Sequence, residues 1–64
     1  MPDFELRHRG RTVTRFVADV DPDDDTACVE LLERIAVEQH INVKQAVLRT
    51  WVGRYRRQRD YRAT

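Results

Sequence analysis

Two histidines, one cysteine and an acidic run are the side chains of this 64-residue chain suited to covalent or metal chemistry. None forms a constellation. His8 and His40 lie far apart, and the chain has no serine to serve as a nucleophile beside either. Cys28 falls at helical spacing with Leu31, Leu32, Ile35 and Ala36, where a thiol behaves as a small buried hydrophobe rather than a nucleophile. The run Asp21-Pro22-Asp23-Asp24-Asp25-Thr26 lacks the ligand alternation and glycine of a calcium loop. It reads instead as a helix start, with proline in the first turn and acids facing unpaired backbone N–H groups. No pair among Cys28, His8 and His40 has zinc-motif spacing, and no glycine-rich phosphate loop occurs. The chain is therefore expected not to be an enzyme, and to use no cofactor, metal or small-molecule ligand.

The chemistry that remains is ionic. Residues 1–18 carry four arginines against two acids, residues 19–43 carry eight acids against Arg34, and residues 44–64 carry Lys44 and six arginines against Asp60. Two basic segments thus flank an acidic one, a pattern that suits a polyanion partner if the basic segments share a surface. Hydrophobic residues make up 41% of the chain, enough to argue against disorder throughout. No apolar run is long enough for a membrane span and no signal-peptide pattern occurs, so the expectation is a cytoplasmic protein with no membrane partner.

The elements that must position these charges form a single domain. Residues 1–20 make a strand region. Asp3 to His8 alternates, with Phe4 and Leu6 on one side; Arg9-Gly10 suits a turn, and Thr12 to Val20 is rich in β-branched residues. A hairpin whose loop has an odd number of residues puts Phe4 and Leu6 on the face of Phe16, Ala18 and Val20. It leaves Arg7, Arg11, Val13, Arg15 and Val17 on the other face. Helix A is expected over residues 24–39, with an apolar face and an acidic one. Asn42 follows as an N-cap with Gln45 three residues on, as in a capping box. Helix B is then expected over residues 43–58, where Val43, Val47 and Trp51 form one apolar row and Leu48, Val52 and Tyr55 another. Gly53 is an interior cost of about 1 kcal/mol to that helix. Residues 59–64 are expected to fray. So short a chain buries little surface, and the stripe on helix B is wider than helix A can cover, so a homodimer is expected.

The stretch LLERIAVEQHINVKQAVLRTWVGRY resembles the ribbon-helix-helix (Arc/MetJ/CopG-type) family of DNA-binding proteins. Ala36, Ile41, Asn42, Val43 and Val47 fall on that family's positions without a gap. The resemblance implies an α+β fold: an N-terminal strand or hairpin, then two amphipathic helices, in an intertwined dimer. It implies a transcriptional repressor that reads the major groove of double-stranded DNA with a β-ribbon. Arg7, Arg9, Arg11, Thr12, Thr14 and Arg15 are the ribbon's candidate DNA contacts, and Asn42, Val43 and Lys44 present backbone N–H groups to a phosphate. Phe16, Leu32, Ile35, Val47, Leu48, Trp51, Val52 and Tyr55 form the dimer core. Two alternatives stand beside this: a helix-turn-helix that uses helix B for recognition, and a small protein–protein adaptor with an acidic helix.

Overall fold

The computed structural model describes residues 1–63, in the order β1 (Asp3–His8), β2 (Arg11–Val17), α1 (Asp25–Glu38), a single 3₁₀ turn (Val43–Gln45), β3 (Ala46–Val52) and β4 (Arg57–Tyr61). The strands make one sheet in the order β2-β1-β3-β4, each neighbour antiparallel to the next. Because β1 lies between them, β2 and β3 run parallel, and α1 carries the chain from one to the other over one face of the sheet. No helix among the described residues is long and apolar enough to cross a membrane.

The core lies between α1 and that face. Phe4, Leu6, Ala46, Leu48 and Tyr61 from the strands meet Cys28, Leu31 and Leu32 from the helix. Phe16 stacks on Phe4 across the outer hairpin, ring centroids 5.6 Å apart. Thr50 is fully buried, and its hydroxyl donates to the Asp3 carbonyl at 2.7 Å, so the polar group is satisfied where it is hidden.

The hairpin follows the expected parity by an unexpected route. His8 pairs with Arg11, so the loop holds only Arg9 and Gly10, an even number. Both have positive φ, 53° and 78°, as a tight turn matching strand twist requires. That register would put Phe4 and Leu6 opposite the wrong side chains. A bulge restores it: Arg7 pairs with Thr12 but Leu6 with Thr14, so Val13 is the extra residue. Beyond the bulge Phe4 meets Phe16. Of the outward set expected, Arg7, Arg15 and Val17 stand on the outer face, while Arg11 is opposite His8 and Val13 is in the bulge.

Helix A forms nearly as expected. Asp24 is its N-cap, its carboxylate accepting from Ala27 N–H at 3.1 Å, and Asp21 accepts from Asp23 N–H at 2.9 Å. The helix closes with paired bonds from His40 N–H to the Val37 carbonyl and from Ile41 N–H to the Ala36 carbonyl. This is the Schellman arrangement, with His40 at φ 58° where glycine is usual.

Helix B does not form, and the two-helix, intertwined-dimer fold is overturned with it. Residues 43–58 are the 3₁₀ turn, β3, a four-residue turn and the start of β4, so neither a ribbon-helix-helix nor a helix-turn-helix is present. Val47, Leu48, Trp51 and Val52 satisfy a helical repeat and a strand repeat equally. The residues between decide it: Ala46, Leu48, Thr50 and Val52 are all buried while Val47, Arg49 and Trp51 are only part-buried, a strict period of two. Gly53 is not a helix interior residue; it opens the β3–β4 turn at φ 75°, where a side chain would be strained. Asn42 caps as expected, accepting from Lys44 N–H at 3.0 Å, but caps three residues only. The tail does not fray throughout, since Arg59, Asp60 and Tyr61 belong to β4; Thr64 lies outside the described residues.

Candidate functional site

The sheet face away from α1 is uncovered by any other element, and the pairing registers fix which side chains share it. Its middle row crosses all four strands as Arg15, Glu5, Arg49 and Asp60. The charges alternate, and opposite charges directly across strands stabilise a sheet by about 0.2–1 kcal/mol each. Arg49 grips Asp60 with two bonds, Nε to Oδ1 at 3.0 Å and Nη2 to Oδ2 at 3.3 Å. This contact holds the Arg49 guanidinium still more firmly in its charged form.

Glu5 is the pivot of the row. Its side chain is only 4% exposed, although it lies on the outer face. Arg7 Nη1 donates to it at 3.1 Å, the Thr12 hydroxyl donates to it, and Arg15 approaches at 3.6 Å. The Thr12 hydrogen bond holds the Glu5 carboxyl below its usual 4.5; burial opposes the shift, and the charges of Arg15 and Arg7 reinforce it. Arg7 is fixed in turn, since Nη1 also donates to Thr12 at 3.0 Å and Nη2 to the Gly10 carbonyl at 2.8 Å. A guanidinium has five N–H donors, so Arg7 and Arg49 are both anchored with donors to spare.

The end of the face nearest the β1–β2 turn is basic. There Arg7, Arg9, Arg49 and Arg62 line an open cavity of about 260 Å³ with Gln45 and Asp60. Four guanidiniums face one carboxylate, and Arg9 and Arg62 make no ion pair among the described residues. The opposite end mixes apolar and charged side chains. Val17 and Trp51 line a groove of about 430 Å³ there with Asp3, Arg15 and Arg56, and the stacked Phe4 and Phe16, which face the helix side, border it. Arg56 lies 5.8 Å from the centroid of the Trp51 ring, a cation–π arrangement, and pairs with Asp3 at 3.4 Å.

The acids of the middle segment lie elsewhere. Glu30 and Glu33 are exposed on α1, and Asp21, Asp23 and Asp24 in or beside its start, so the molecule has an acidic helical side and an outer sheet face edged with arginine.

Of the expected DNA contacts, the fold gathers Arg7, Thr12 and Arg15 on the outer face and Arg9 at its end. Thr14 pairs with Leu6 and faces the helix side, and Arg11 ends the hairpin. Asn42, Val43 and Lys44 form a turn too short to present a helix N-terminus. The residues assigned to a dimer core are spread through one chain. Leu32, Leu48 and Val52 are in its own core, Phe16 and Ile35 pack against that core, Val47 and Trp51 are on the outer face, and Tyr55 is 83% exposed in the turn. Trp51 was assigned to a dimer core, and Arg49, Arg56 and Arg62 were not among the ribbon's expected DNA contacts. The alternation in AVLRTWV carried the signal for the first two, since it sets Arg49 and Trp51 opposite Leu48. No protein-family model, curated protein or solved structure matches the chain.

Proposed function

We propose that this chain binds nucleic acid through the outer face of its sheet, with the guanidinium pocket on the phosphate backbone. The convergence of Arg7, Arg9, Arg49 and Arg62 in one open cavity carries the reading. Arginine is suited to phosphate because its planar fork offers paired donors. Glu5, Thr12 and Gly10 hold Arg7, and Asp60 holds Arg49, so neither side chain has to be ordered on binding. The acids of α1 are on the opposite side, which turns the basic face towards a polyanion.

Arg9 and Arg62 give the cleanest test because their removal breaks no ion pair among the described residues. Arg9→Ala/Arg62→Ala should weaken binding to a single strand and to a duplex of the same sequence. It should also flatten log affinity against log salt by roughly 1–2 units, as expected for two lost phosphate contacts. Unchanged affinity and slope, or no binding by the wild type at low salt, would overturn the reading.

A further inference from the structure

We infer that the nucleic acid is single-stranded and that one of its bases stacks on Trp51. The inference rests on the nucleic-acid reading above and adds to it the groove at the other end of the same face.

Width argues against a duplex. Strands in a sheet lie about 4.8 Å apart, so the outer pair of four is roughly 14 Å apart before side chains are added. A major groove about 12 Å wide admits two strands, not four. A single strand has no such restriction and can lie across a sheet, with bases turned onto its aromatic residues and phosphates onto its cations.

The two ends of the face supply those partners in order. Arg49 and Trp51 are two residues apart on β3 and point the same way, a separation of roughly 7 Å, comparable to one step of an extended strand. Val17 walls the groove beside Trp51, and Arg15, 77% exposed, and Arg56 edge it with positive charge. Asp3 is the one carboxylate there, and Arg56 neutralises it. The Arg56 guanidinium already lies against the indole. A base takes its place by displacing Arg56, which gives up the cation–π contact and one exposed ion pair of little worth. Asp3, its side chain 54% exposed, is left to solvent and the freed Arg56 meets a phosphate.

Trp51 is the only tryptophan in the chain, so intrinsic fluorescence reads this site directly. Three probes are titrated at low salt: a short oligo(dT), an abasic deoxyribose-phosphate oligomer of the same length, and a duplex. Oligo(dT) should quench Trp51 and bind most tightly, and the abasic oligomer should bind more weakly without quenching. Trp51→Ala should lose roughly 5- to 150-fold in affinity for oligo(dT), as for one stacked base, and Trp51→Phe should keep most of it. Should Trp51→Ala fail to fold, the oligo(dT)-to-abasic comparison on wild type decides alone. Equal binding of those two without quenching overturns the stacking but leaves the phosphate reading intact. Tighter binding of the duplex overturns the single-strand assignment, and no binding by any probe overturns both readings.

Discussion

Glu5 shows how one residue governs a surface. It holds Arg7, Thr12 and Arg15 through a carboxylate almost removed from solvent. Glu5→Gln keeps the shape but removes the charge, and should cost about 1.5–3 kcal/mol, the range for hydrogen bonds to charged groups, read as a shift in the denaturation midpoint at neutral pH. The pH dependence follows from the lowered carboxyl. Its stabilisation is complete above the unfolded value near 4.5 and is lost as pH falls through the lower folded value. The gap between wild type and variant should therefore close in acid; a gap that stays constant there would remove Glu5 from the account.

At the scale of elements, α1 ends on a residue ill suited to its backbone. His40 has φ 58° and is exposed, so its side chain offers little in return for a left-handed conformation. His40→Gly should raise stability by about 0.5–1 kcal/mol and His40→Val should lower it, both measured by urea denaturation. Legibility also divides by element. β1, the start of α1 and the Asn42 cap were readable because local chemistry decides them: alternation at Phe4 and Leu6, the acids and proline from Asp21 to Thr26, the Asn42 amide. Helix B was misread because Val47, Leu48, Trp51 and Val52 fit either repeat. What settles them as a strand is non-local, namely β1 with Phe4 and Leu6 waiting for Thr50 and Leu48. The site followed the same division. Arg7, Arg9, Thr12 and Arg15 lie on the hairpin that was expected, whereas Arg49 and Trp51 became visible as outward residues only once β3 replaced the helix.

For the whole molecule, the segregation of charge makes a prediction about distance. The acids on α1 and the arginines of the outer face lie on opposite sides of a body 32 × 21 × 19 Å. Electrostatic screening reaches about 30 Å at 0.01 M salt and about 8 Å at 0.15 M. Glu30→Gln/Glu33→Gln should therefore tighten oligonucleotide binding at the lower salt and leave it unchanged at the higher. A gain that persists at 0.15 M would mean that the helix touches the ligand, and would place part of the site on that side.

The strand order 2-1-3-4 also sets which pairing costs the most chain entropy to close. The chain is two hairpins, one closing over two residues and the other over four. The seam between them joins residues from 38 to 46 positions apart, His8 with Ala46 and Phe4 with Thr50. Closing a loop about ten times longer costs roughly 2 kcal/mol more, and a lone hairpin is marginal in water. The hairpins are thus ready but unstable until β1 meets β3. That pairing joins the strands on which α1 packs and, on the other face, brings Arg7 beside Arg49, so the arginine pocket depends on it.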